Sequence, residues 1–117
     1  MSTRANIIIK DSYNKLYFYR HSDGYPEGTM PTLTKFLDMV VNKEIRNNVL
    51  QAAGWLIVIG HEEYKEDREN VHGLQWKVGA YEPTTGIHGD IDHLYVIDLE
   101  KLTINEIPQE NWKLWEK

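Results

Sequence analysis

The segment that most constrains the fold is 15–41, where the spacing of apolar side chains changes from a period of two to a period near 3.6. In 15–20, tyrosines alternate with Leu16 and Phe18, which is typical of a strand with two different faces. A loop rich in glycine and proline follows. Beyond it, the amphipathic pattern of a helix is carried by Leu33, Phe36, Leu37, Val40 and Val41. The sequence therefore predicts a strand, a specified loop and a helix in succession.

The N-terminal segment adds a partner to this strand. Residues 6–10 are rich in β-branched side chains, and 11–14 have the composition of a turn, so 6–20 predict a β-hairpin. Alternation places Tyr17, Tyr19 and His21 on one face of the second strand. Leu16 and Phe18 share the other face with Arg20, which we expect at the rim of the core.

Two helices are predicted after the loop. The first begins at 29–32, where a hydroxyl can cap the helix and Pro31 lies in the first turn, and its main part covers 33–41. The second spans about 44–64. Its five apolar residues 55–59 are also compatible with a central strand, but we interpret them as helix.

The C-terminal half predicts a charged connector at 65–73 and strands at 74–82, 93–100 and about 102–107, with a turn at 83–86. Trp112 and Trp115 have the spacing of a short helical turn. The order ββααβββ indicates an α+β fold, in which an antiparallel sheet, made of the N-terminal hairpin and the C-terminal strands, is covered on one face by two helices.

Length and composition narrow the function classes. A chain of 117 residues with 41% hydrophobic and 26% charged residues predicts a single domain, 1–117. No apolar run approaches membrane-spanning length, and the N-terminus does not resemble a signal peptide. The absence of cysteine fits a cytoplasmic protein. The net charge of −5, without a Lys/Arg cluster, argues against duplex nucleic acid as a partner.

The loop after the second strand is the first candidate site. Gly24, Pro26 and Gly28 restrict the backbone conformation of this loop, and most of its side chains are polar and unsuited to a hydrophobic core. Its candidate ligand-binding residues are Arg20 for an anion, His21 and Asp23 for acid–base or metal chemistry, and Tyr25 for stacking. The alternative is a rigid connector between strand and helix.

The second candidate is 86–93. An extended conformation would point His88, Asp90 and Asp92 to one side and His93 to the other. His88 and Asp90 are expected to complete the pocket of the first loop. Metal binding is an alternative, although the spacing matches no established site, and a polar loop is another. His61 begins a zinc-protease-like motif but lacks the second histidine, because position 65 is lysine.

The opening Ser2-Thr3-Arg4-Ala5-Asn6-Ile7 and the run from Tyr19 to Gly28, Tyr-Arg-His-Ser-Asp-Gly-Tyr-Pro-Glu-Gly, resemble small proteins of unassigned function encoded by bacteriophages and prophages. The matching motifs cover about the first quarter of the chain. The resemblance implies a viral accessory protein in the cytosol of a bacterial host. Phages use such proteins to block host enzymes or to sequester host signalling nucleotides.

We therefore expect a binding protein rather than an enzyme, without a cofactor or a resident metal, that sequesters a small anionic, nucleotide-derived ligand against a host defence. One alternative is a protein-binding inhibitor of a host enzyme that uses Trp112, Trp115 and exposed tyrosines. Another is a metal-dependent hydrolase that uses His21, Asp23, His88, Asp90 and His93. The aromatic content also predicts a homo-oligomer, because a core of this size is not expected to bury four tryptophans and seven tyrosines.

Overall fold

Two α-helices and a C-terminal 3₁₀ helix surround a five-stranded sheet in the computed structural model, which describes residues 3–63 and 79–116. The elements in chain order are β1 (Ala5–Lys10), β2 (Lys15–Arg20), α1 (Pro26–Val41), α2 (Val49–Glu63), β3 (Glu82–Thr84), β4 (His93–Asp98), β5 (Thr103–Glu106) and the 3₁₀ helix (Gln109–Trp115). The predicted α+β class is confirmed, and the elements of the described residues follow the order ββααβββ, with the third strand at a different position from the predicted one.

The sheet is mixed, whereas an antiparallel sheet was predicted. Its strand order is β3-β2-β1-β4-β5, and β1 pairs antiparallel with β2 but parallel with β4. β1 is therefore the central strand, and Ile7, Ile8 and Ile9 are all fully buried. A continuous apolar run of this kind is typical of a strand buried on both faces. The apolar pattern of β4 carries no information about its direction, which depends on the long connection through both helices.

The helices cover one face of the sheet, as predicted. The core between them contains Ile7, Ile9, Phe18, Leu33, Phe36, Val40, Ala52, Leu56, Tyr95 and Ile97. α1 begins at Pro26, earlier than predicted, because proline at the first helical position loses no hydrogen bond and holds Tyr25 in an extended conformation. Thr29, predicted to begin the helix, is buried inside it, and its hydroxyl donates to the Asp23 carbonyl at 2.8 Å.

α2 is shorter than predicted at its N-terminus, because 44–48 form a connection instead of helix. Lys43, with φ 64°, ends α1 in the left-handed conformation, and the Asn48 side chain accepts the Gln51 backbone N–H at 3.1 Å at the start of α2. Residues 55–59 are helical, which confirms the interpretation of that ambiguous run.

The C-terminal strands differ from prediction in their bounds. The predicted connector at 65–73, with His72, lies outside the described residues, as does most of the strand predicted at 74–82. β3 instead occupies part of the predicted turn at 83–86, and it contains Pro83 because an edge strand tolerates a missing N–H. β4 ends at Asp98, whose carboxylate accepts the backbone N–H groups of Glu100 and Lys101 and closes a turn.

The second face of the sheet is also covered. Ile8, Tyr19, Ile91, Leu94 and Val96 form a second buried cluster on this face, with Tyr17, Ile87, Ile107, Trp112 and Trp115 packed against it. Both C-terminal tryptophans are thus half-buried within the chain, so they no longer argue for the homo-oligomer, which stays a prediction. None of the helices in the described ranges is long and apolar enough to cross a membrane.

Candidate functional site

The glycine loop after β2 is held closely against the start of β1. The Gly24 N–H donates to the Thr3 carbonyl at 2.9 Å, and the buried Tyr95 hydroxyl donates to the Gly24 carbonyl at 2.7 Å. A Cβ atom at Gly24 would lie 2.9 Å from the Cβ of Ala5. Glycine is required at this position by that close approach, whereas the left-handed conformation belongs to Asp23, with φ 58°. These contacts favour the connector interpretation for the loop backbone.

Arg20 does not lie at the rim of the core, as expected, but inside it. Its side chain is 0% exposed because α2 covers it, and its guanidinium binds both carboxylate oxygens of Glu63. The Nε atom also donates to the Ser22 carbonyl at 2.8 Å, and Nη2 donates to the Gly28 carbonyl at 3.3 Å. The ring of Tyr81 lies 5.1 Å from the guanidinium carbon. These contacts fix the C-terminus of α2 to the glycine loop.

A shallow groove of about 300 Å³ lies beside this ion pair, between the two helices. It is lined by Pro31, Thr32, Lys35, Ile59, Glu62 and Glu63. The Thr32 hydroxyl donates to Glu63 at 2.5 Å, so the carboxylate is bound on both sides. Burial raises the pKa of the neighbouring Tyr81 to about 12.

Three of the predicted site residues meet around Tyr19 on the other face of the sheet. The Tyr19 hydroxyl donates to the Asp90 carboxylate, with oxygen–oxygen distances of 2.8 and 2.9 Å. The His88 ring stacks on Tyr19 with centroids 3.8 Å apart, and the His21 ring meets its edge at 4.4 Å. Burial, and then the bond to Asp90, raise the pKa of Tyr19 to about 12. The structure thus brings His21, His88 and Asp90 together around Tyr19, and the ligand pocket that these residues were expected to form stays a prediction.

The other predicted site residues lie elsewhere. Arg20 is buried on the helix-covered face, and Asp23 and Tyr25 immediately precede α1. The segment 86–92 is irregular, with a turn at 89–90, rather than the extended segment that was expected, so regular alternation of its side chains does not apply.

The histidines around Tyr19 have partners within the protein. The ring of His21 hydrogen-bonds Glu82, and Nε2 of His88 lies 2.8 Å from the Thr84 hydroxyl. Among the described residues, no group of three or more His, Asp and Glu side chains is spaced to hold a metal ion. Internal contacts therefore hold both histidine rings beside Tyr19.

The neighbouring end of the sheet contains a cleft of about 320 Å³, which we call the end cleft. It forms where β4 begins, β5 ends and the 3₁₀ helix follows, and it is lined by Asp92, His93, Glu106, Ile107, Pro108, Gln109 and Trp112. Nδ1 of His93 lies 2.6 Å from a carboxylate oxygen of Glu106. The Trp112 indole N–H donates to the Ile107 carbonyl at 2.9 Å, which fixes the ring at the cleft.

Arg4 lies between the end cleft and the Tyr19 cluster, with its backbone bonded to Asp92 and its side chain near Asp90. The Arg4 carbonyl accepts the Asp92 N–H at 2.8 Å, and its guanidinium lies 3.6 Å from the Asp90 carboxylate. The Arg4 side chain is 42% exposed. The arrangement offers an aromatic surface, two carboxylates, an imidazole and one guanidinium along a continuous edge.

The sequence indicated only part of this site. Asp92 and His93 belonged to the cluster at 86–93, and Trp112 was assigned to an interface. Glu106 and Gln109 carry no sequence signal, because their proximity to His93 depends on the pairing of β4 with β5. Comparisons with protein-family models, curated proteins and solved structures found no match.

Proposed function

We propose that the protein binds a small nucleotide-derived ligand in the end cleft. The observation that carries the proposal is a cleft of about 320 Å³ that is lined both by the fixed indole ring of Trp112 and by a carboxylate–imidazole pair, Glu106 and His93. This volume lies at the lower end of the range for small-molecule sites. Aromatic rings supply stacking surfaces for bases, and carboxylates accept hydrogen bonds from hydroxyl and amino groups.

The charges in the cleft determine how such a ligand would be oriented. Asp92 and Glu106 are carboxylates, so an anionic group is disfavoured among them. The base and the sugar hydroxyls would therefore occupy the end cleft, and the phosphate would extend toward Arg4, whose partly exposed side chain also faces the Asp90 carboxylate. Arginine suits this role because it binds phosphate through two parallel hydrogen bonds. His21, His88 and Asp90 would hold the adjacent surface in place through Tyr19.

The resemblance of the N-terminal motifs to phage-encoded proteins supports sequestration as the purpose of binding. A protein that binds a host signalling nucleotide without consuming it lowers the free concentration of that nucleotide in proportion to its own abundance. The proposed function is the leading one expected from the sequence, but the proposed binding site is the end cleft instead of the glycine loop.

Binding is tested by thermal shift and calorimetry with adenosine, guanosine, their 5′-monophosphates and cyclic dinucleotides. We expect at least one nucleotide to stabilise the protein and to quench tryptophan fluorescence. Glu106→Gln keeps an oxygen for His93 but loses the charge-assisted bond to the ligand, so it should weaken binding roughly 10- to 100-fold.

The matched control is Glu100→Gln, the same change in the turn after β4, at the opposite end of that strand. It should leave the affinity unchanged. The proposal fails if none of these probes binds at millimolar concentration, or if the two glutamine variants weaken binding equally.

A further inference from the structure

Between residues 49 and 60, the outward side of α2 carries no charged residue, and Gln51 is the exposed polar side chain there. Its inward stripe, which includes Ala52, Leu56 and Ile59, is buried against the sheet and α1. On the other side, Leu50 is 59% exposed, Trp55 47%, Ile57 37% and Val58 48% in the described structure. Residues 49–60 include no Asp, Glu, Lys or Arg. We call Leu50, Gly54, Trp55, Ile57 and Val58 the outer face of α2. Contiguous exposed apolar residues of this kind mark interaction surfaces.

The outer face can pack against a second copy of itself around a two-fold axis, because its residues are arranged symmetrically about Gly54. Leu50, Gly54 and Val58 follow each other at intervals of four residues, so they form one row along the helix. A Cβ atom at Gly54 would meet no heavy atom within 4 Å, so this position is an open notch between two larger side chains. If two copies pack antiparallel with the axis at Gly54, Leu50 of each copy meets Val58 of the other. The notch then lets the two helices approach closely.

The charges at the two ends of α2 are complementary in the same arrangement. The exposed side chains of Lys43, Glu44 and Arg46 precede the N-terminus of the helix and carry one net positive charge, and the exposed Glu62 lies at its C-terminus. An antiparallel pair brings the basic end of one copy to the acidic end of the other, twice by symmetry. The opposed helix dipoles add to this attraction.

We propose that the outer face of α2 is the interface of a symmetric homodimer, in which the helices of two copies of this chain pack antiparallel across Gly54. The proposal is independent of ligand binding, and it places the assembly on a surface other than the C-terminal tryptophans.

The test measures the mass of the full chain by light scattering and sedimentation from about 1 to about 100 µM. We expect a dimer for the wild-type chain and a folded monomer for Val58→Asp. Leu50→Glu provides a second disrupting variant, in case the first does not fold. Leu114→Asp places the same charge at an exposed leucine of the 3₁₀ helix, and it should remain dimeric.

A charge exchange tests the antiparallel arrangement itself. Arg46→Glu and Glu62→Arg should each weaken the dimer about tenfold, because like charges then meet at both ends. Mixing these two variants should restore the affinity as a heterodimer, since each contact again pairs opposite charges. A monomeric wild-type chain overturns the proposal, as does a dimer that persists in the variants at 50 and 58. Failure of the mixed variants to recover overturns the antiparallel arrangement.

Discussion

The buried ion pair between Arg20 and Glu63 makes a strong prediction about stability. Removing one partner of a buried pair costs about 3–5 kcal/mol, because the remaining charge is left without compensation. The Glu63 side chain is 23% exposed, so water reaches part of the site, and we expect the lower end of this range for Glu63→Gln. With an unfolding entropy of about 2 cal/mol/K per residue, a loss of about 3 kcal/mol lowers the melting temperature by about 12 °C.

The assay is chemical denaturation followed by circular dichroism, with Glu110→Gln as the matched control. Glu110 is an exposed glutamate of the 3₁₀ helix, and its change should alter the free energy of unfolding by less than about 0.5 kcal/mol. A double-mutant cycle with Arg20→Met should give a coupling of more than about 1 kcal/mol. If Glu63→Gln is as stable as Glu110→Gln, the ion pair does not fix α2 to the loop, and the reasoning is wrong.

Two further predictions concern the loops. Gly24→Ala should lower the free energy of unfolding by about 1–3 kcal/mol, because its methyl group would overlap β1. The control Gly89→Ala places its methyl group in open space and should stay within about 0.5 kcal/mol of wild type. Equal effects of the two changes would refute the close-approach argument. The backbone N–H groups of the hairpin turn hold the pKa of Asp11 below its ordinary value of 3.8, so its stabilising contribution is present above that value and is lost as the pH falls below it. The stability difference between wild type and Asp11→Asn, measured by urea denaturation, should therefore narrow from about pH 7 to about pH 3; a difference that stays constant would contradict the assignment.

Local sequence patterns predicted most helices and strands of this fold. The features that they did not predict depend on contacts between residues far apart in the sequence. The alternation in β2 correctly separated Phe18 from Tyr19, because side-chain direction in a strand is a property of the strand alone. The parallel direction of β4 could not be predicted from the sequence, since it depends on the connection that returns the chain beside β1. Likewise Arg20 was assigned to the core side correctly, but its burial depends on Glu63, which lies 43 positions away in the sequence.

The same distinction explains the site. The predicted pocket combined six residues from two polar loops next to strands, and the sheet brings three of them, His21, His88 and Asp90, together around Tyr19. The end cleft required the pairing of β5 with β4 and the folding back of the 3₁₀ helix onto the second face. No sequence motif indicates either of these two contacts, so only the structure identifies Glu106 as a residue of the cleft.

The sheet separates the two surfaces proposed to bind partners. α2 packs on the face that contains Phe18, so its outer face points away from the sheet on that side. Trp112 packs on the face that contains Tyr19, and the end cleft opens beside it. Because the two faces belong to alternate residues of the same strand, a dimer formed through α2 leaves the cleft of each copy accessible. Saturating the cleft with a nucleotide should then leave the dissociation constant of the dimer unchanged, since the ligand favours monomer and dimer equally. The two proposals are therefore independent, and the failure of either would leave the other standing.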